Sequence, residues 1–199
     1  LVGGLAGDAI TTGDTNTCIG FQAGTYGHDI ETGDSNVIIG AYCHTNGTSG
    51  ANQIVMGYDA QGSADSTLTF GNSTTDTTCS YGGTTWSAPS DQRLKEEITT
   101  STAGLSFIND LRPVTFKWKK EKDIPDTLRG YVEDSETRFK TDTTEHGFIA
   151  QEVKTAMDAH TELKDGFDMW SEDADGRQRL ADGALVPILV KAIQELSAE

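Results

Sequence analysis

The first 89 residues contain neither lysine nor arginine. The whole 199-residue sequence holds only 15 of these cations against 31 acidic residues, a formal net charge of −16. Phosphate binding needs clustered cations, so this balance argues against a nucleic-acid partner. The sequence also lacks any long apolar run of the kind a membrane-spanning helix needs, and no membrane insertion is expected. Its opening residues, LVGGLAGDAI, have neither the basic nor the apolar region of a secretion signal. There is no initial Met, so a piece of a longer chain is expected. Cysteine is scarce: Cys18, Cys43 and Cys79 form an odd set with no CxxC pair. That argues against a disulfide framework or a zinc site, and reduced thiols are expected. His28, His44 and His160 show no metal-ligand spacing. Neither a metal nor a cofactor is expected.

What is present changes character near residue 89. Residues 1–89 hold eight of the acidic residues and 16 of the 22 glycines, with most of the Thr, Ser and Asn. Residues 90–199 hold all the Lys and Arg and read as ordinary mixed globular sequence. The junction GGTTWSAPSDQRLK carries Gly82, Gly83 and Pro89 as breakers. A domain boundary is placed between Pro89 and Ser90, giving domains 1–89 and 90–199.

The first domain repeats itself. GDTNTCIGFQAG (13–24), GDSNVIIGAYCHTN (33–46) and GANQIVMGYDAQG (50–62) each run through Gly, a polar turn with Asn, apolar residues and Gly again. The apolar-Gly pairs Val2-Gly3, Ile19-Gly20, Ile39-Gly40 and Met56-Gly57 are spaced by 17, 20 and 17 residues. A short fixed period predicts stacked units, each with one short strand. One such strand cannot bury its own face, and about 90 residues of this composition give a thin core. Three chains around a shared axis would bury the Ile, Val and Met stripe. The pattern resembles the trimeric β-helix or β-prism stalks of fibres and adhesins; the alternative is a Gly/Ser/Thr-rich disordered linker. Residues 66–86 read as one or two final strands. Asp8, Asp14 and Asp34 sit beside Gly as turn formers. No aromatic cluster or carboxylate pair is evident as a binding or glycosidase site.

The second domain reads as α+β. Ser90–Ile98 starts with a capping-type Ser-Asp and enters a charged amphipathic run. Leu105, Ile108 and Leu111 have helical spacing, ended by Pro113. Val114, Phe116 and Trp118 alternate with polar residues as in a half-buried strand. Residues 119–144 look like an exposed, charged excursion. In HGFIAQEVKTAM (146–157), Ile149, Val153 and Met157 form a helical stripe. Residues 171–180 contain the turn signal Asp175-Gly176 and read as a hairpin. Asp173, Asp175, Gly176 and Asp182 loosely fit a calcium loop, but Ser171 is a poor first ligand and Asp182 comes early for the last. The end, ALVPILVKAIQELSAE, presents Leu185, Leu189, Ala192 and Leu196 as a short heptad seam, a coiled-coil-like helix.

Four blocks carry a resemblance in order: SDQRLKEEI (90–98), GLSFINDLRPVTFKW (104–118), HGFIAQEV (146–153) and LVPILVKAIQEL (185–196). Together they resemble the peptidase S74 family, the C-terminal intramolecular chaperone of phage tail fibres, tailspikes and endosialidases. The resemblance implies a homotrimer that holds a folding β-stalk in register and then cuts itself off just before a Ser. It implies Pro89–Ser90 as the cleavage site, Ser90 as nucleophile and Lys95 as general base of a Ser–Lys dyad. Asp91 and Arg93 belong to the same motif, and His146 matches a supporting polar position. It further implies a virion protein made in the bacterial cytoplasm, with a host-surface receptor, glycan or protein, reached through the stalk. This sequence departs from the family's pattern in Pro89 before the cut, in the long 119–144 excursion and in lacking an aromatic near Asp182-Gly183.

The chemistry is consistent with that reading. A serine hydroxyl needs an adjacent base. A lysine serves only where burial or a neighbouring positive charge lowers its pKa from about 10.4 toward neutrality. Trimer assembly, or the approach of Arg93, would supply such an environment. The plainer alternatives are an N-cap at Ser90-Asp91, a solvated helix lysine at Lys95 and a turn residue at His146. Two other functions compete with self-cleavage. One is a permanently attached structural or receptor-binding tip. The other is a cellular relative that frees a DNA-binding segment, disfavoured by the absence of basic sequence.

Overall fold

The apolar-Gly pairs lie in or just beyond short strands and bridges that stack in register. In the computed structural model, which describes residues 1–163 and 166–198, these are β1 (Thr17–Ile19), β2 (Val37–Ile39), β3 (Ile54–Tyr58) and β4 (Thr67–Asn72). They pair in parallel in chain order, and β5 (Thr75–Ser80) closes the sheet antiparallel to β4. Parallel neighbours require the chain to travel a full turn between strands. Hydrogen bonds between turns continue around that path, as in Gly7 N to Ala23 O at 2.9 Å, Gly24 N to Cys43 O at 2.8 Å and His44 N to Ala60 O at 3.0 Å. The packing divides into two units, Leu1–Glu97 and Ile98–Glu199.

Strand alternation gives the first unit an inside and an outside. Cys18, Ile38 and Val55 are in register and have no exposed surface, with Ala23, Ile30, Cys43 and Ala60 buried beside them. The three thiols are free and buried; burial pushes those of Cys18 and Cys43 up. A polar ladder fills the corner. Asn36 Nδ2 donates to Asn16 Oδ1 (3.0 Å) and to Gly50 O (2.7 Å), and Gln53 N donates to Asn36 Oδ1 (3.0 Å). Asn16 and Asn36, one in each of the first two polar turns, therefore satisfy backbone of the next turn. Gly40 shows why the pattern ends in Gly: its φ is +125°, and a Cβ there would lie 1.7 Å from Gly57 O.

The outer face carries Val2, Ile19, Ile39, Met56 and Phe70 as one in-register column, each at least about a third exposed. An aromatic column stands next to it. Tyr42 meets Phe21 and Tyr58 edge-on at 5.6 Å and Tyr26 at 4.8 Å. This corrects the sequence reading that saw no aromatic cluster. The rings are far apart in sequence, and only the stacking of turns brings them together.

Among the described residues the second unit has three α-helices, α1 (Leu105–Asp110), α2 (Ala150–Ala159) and α3 (Leu185–Leu196), with two strand pairs. Strand β6 (Val114–Phe116) pairs antiparallel with β7 (Glu145–Gly147), and β8 (Trp170–Glu172) with β9 (Gln178–Leu180). Phe107 is fully buried among Ala103, Val153, Ala156, Leu163, Met169, Leu185 and Ile188. Glu195 of α3 caps α1 by accepting from Leu105 N at 2.8 Å, a contact that holds its carboxyl below the usual range. In the 119–144 excursion, Lys120 and Lys122 share Glu136, whose pKa falls to about 2.

Three expectations change. The helical stripe begins late: His146 lies in β7 opposite Thr115, and helix starts only at Ala150. The run after Ser90 is a single 3-10 turn, Gln92–Leu94, rather than an amphipathic helix. The heptad seam is divided between two faces. Leu185, Ile188 and Ala192 are buried, whereas Leu189 and Leu196 are exposed beside Val186, Val190 and Ile193. Asp173 is held by Arg177 (2.7 Å) and Arg179 (2.7 Å), with its pKa near 2, so the Asp175-Gly176 segment is the hairpin and its first carboxylate is already occupied. No described helix is long and apolar enough to cross a membrane.

Candidate functional site

Strand β5 ends at Ser80, and the chain turns back through Tyr81 and Gly82, with Gly83 N donating to Ser80 O at 2.9 Å. The returning segment lies antiparallel to β5. Thr78 and Ser87 exchange both backbone hydrogen bonds, each 2.9 Å. Trp86 rests edge-on against Phe70 with ring centroids 5.2 Å apart. Pro89 and Ala88 then line an open depression with Thr74–Thr77 of the β4–β5 hairpin and with Leu94.

Ser90 follows on exposed backbone. Asp91 caps the 3-10 turn by accepting from Arg93 N at 2.8 Å. The same carboxylate takes the Arg93 guanidinium in two bonds, 3.0 and 2.6 Å. That fork holds the Asp91 carboxyl below its ordinary range and the Arg93 guanidinium above its own. The turn reverses the chain and delivers Lys95 to Ser90, with Nζ donating to Oγ at 2.6 Å. The geometry brings together four of the residues singled out from sequence, Ser90, Asp91, Arg93 and Lys95, next to Pro89. The positive charge of Arg93 is spent on Asp91 rather than directed at Lys95. The cap is Asp91, not Ser90, which leaves the Ser90 hydroxyl to the lysine.

His146 belongs to the other unit, at the middle of β7. His160, which the sequence marks only as lacking metal-ligand spacing, is more closely held. It is buried against Phe107, with Nε2 2.8 Å from Asp110 Oδ2 and Nδ1 2.8 Å from Glu162 Oε1. The two carboxylates, Asp110 first, raise its pKa above the ordinary value. Among the described residues no group of three or more His, Cys, Asp or Glu is arranged to hold a metal.

Residues 90–162 match the family model Peptidase_S74, chaperone of endosialidase. The resemblance read from the sequence is thereby shown for the segment that starts at Ser90 and runs through α1, β6, β7 and α2. The block at 185–196 lies outside the matched residues. Neither the curated proteins nor the solved structures contain a match to the chain.

Proposed function

We propose that the chain is the end of a trimeric phage tail fibre or tailspike. In this reading residues 90–199 drive trimerisation and folding of the stacked turns and then release themselves by cutting Pro89–Ser90. The observation that carries it is the 2.6 Å contact between Lys95 Nζ and Ser90 Oγ at the first residue of the family match.

The reaction needs no cofactor. Lys95, once it has given up its proton, takes the proton of Ser90 Oγ. The oxygen attacks the Pro89 carbonyl carbon, the C–N bond breaks, and the proton passes to the leaving Ser90 nitrogen. Water then hydrolyses the ester, leaving a Pro89 carboxylate and a free Ser90 with its hydroxyl restored. Burial by neighbouring chains is the means by which an exposed lysine becomes a base. Cleavage then follows assembly and reports on it. One turnover per chain suffices.

The exposed apolar column of the stack and the exposed face of α3 support a homotrimer, because each would otherwise leave large side chains in water. A fibre end implies a virion location and a host-surface receptor reached through residues 1–89. The second reading, an uncleaved structural tip, is favoured by Pro89, whose ring restricts the geometry at the attacked carbonyl. Intact mass spectrometry of the wild type beside Ser90→Ala separates the two. The expected result is a split between Pro89 and Ser90 in the wild type only. A wild type that stays whole after the trimer has formed would exclude self-cleavage.

A further inference from the structure

The residues just before Ser90 are bound to the stack more firmly than the residues after it. Thr78 and Ser87 form a closely spaced antiparallel pair, both bonds 2.9 Å, and Ser87 Oγ adds a 3.3 Å bond to Thr78 O. Trp86 lies on Phe70, the last member of the outer apolar column. In an antiparallel ladder the next residue to face β5 in this way is two positions on, at Pro89. Proline has no N–H to donate, so the ladder cannot be continued from that residue. Pairing is strong up to Ser87 and weakened by chemistry at Pro89, whose carbonyl is the one to be attacked. On the far side, Leu94, at the end of the 3-10 turn that precedes Lys95, faces the same open depression as Pro89 and Thr74–Thr77.

Resting on the self-cleavage reading above, we propose that the returning segment Trp86–Pro89 is a clamp that presents the scissile bond. Trp86 and Ser87 are positioning residues that fix the Pro89 carbonyl against Ser90 by gripping Phe70 and Thr78. Proline before the cut is then part of the device: it ends the added strand where the bond must be free. The clamp also couples the reaction to folding of the stack, because Phe70 and Thr78 take up their places only when β4 and β5 have paired. After the cut, Trp86 remains on β4 and Ser87 on β5, and the new end is already seated.

The test is the time course of self-cleavage of the full chain, read by intact mass for the wild type, Trp86→Ala, Trp86→Phe and Ser87→Pro. Circular dichroism of each uncut Ser90→Ala counterpart reports on folding. Trp86→Ala should slow cleavage about tenfold or more, while Trp86→Phe, which keeps a ring on Phe70, restores a rate near wild type. Ser87→Pro, which removes the donor to Thr78 O, should slow it comparably with the stack still folded. A wild type that cuts while Trp86→Ala and Ser87→Pro cut at the same rate overturns the clamp and leaves the self-cleavage reading intact. Slowing matched by loss of the folded signal in both variants also overturns it, since the residues would then serve only the fold. A wild type that never cuts overturns both.

Discussion

At the scale of single residues, Lys95 separates a structural contact from a catalytic one. Its ammonium donates to Ser90 Oγ at 2.6 Å, and an arginine at this position keeps both the donor and the charge. Arginine does not give up its proton in proteins. Lys95→Arg should therefore leave the fold and assembly unchanged and abolish self-cleavage, as gel analysis over several days would show; retained cleavage would remove Lys95 from the role of base. His160 provides a second test. Its pKa is raised by Asp110 and Glu162, so its contribution to stability is full below the unfolded value of about 6.5 and is lost as pH rises through the folded value. Hydrogen-exchange protection of α1 and α2, corrected for intrinsic rates, should fall as the medium becomes alkaline, and His160→Gln should remove that dependence. The sequence around His160 shows only half of this: Glu162 is two residues on, whereas Asp110 comes from 50 residues away.

At the scale of elements, the joint between turns is the most demanding piece. Gly40→Ala would force a side chain into a φ of +125° and against Gly57 O. It should cost about 2 kcal/mol or more in denaturant unfolding. Gly47→Ala, where a Cβ meets nothing within 4 Å, should stay within about 0.5 kcal/mol. Elements whose ends are written locally were legible. Pro113 bounds α1, Asp175-Gly176 makes the β8–β9 turn, and the apolar-Gly pairs mark β1 to β3. The Ser90–Lys95 contact was legible through the order of the motif blocks. What was hidden depends on distant partners. His146 lies in a strand because Thr115 pairs with it, and no local period shows that. The aromatic column and the Trp86–Phe70 contact arise from register between turns. The two-faced nature of α3 follows from Phe107 and its neighbours claiming Leu185 and Ile188.

At the scale of the whole molecule, the α3 face left by that packing is where assembly should be sensitive. Val186, Leu189, Val190 and Ile193 recur at helical spacing and remain exposed. Ile193→Lys, 61% exposed, should leave each chain folded by circular dichroism. In the uncut Ser90→Ala background it should reduce the sedimentation mass of the proposed trimer from three times 21.3 kDa toward that of one chain. In the chain that keeps Ser90, self-cleavage should fall as well, because the base is formed by assembly in the proposed mechanism. An Ile193→Lys chain that still sediments as a trimer would move the contact elsewhere. The stacked turns carry a different consequence. Successive turns meet through the same glycine joint, the first three also through the amide ladder of Asn16, Asn36 and Gln53, and the final hairpin with its returning segment is built from β4 onward. The length of the stack is therefore a free parameter. Whole turns can be gained or lost above β4 in steps of one strand spacing, about 4.8 Å, without rewriting the lower end. Such a chain works as a ruler whose graduations evolution can add one at a time.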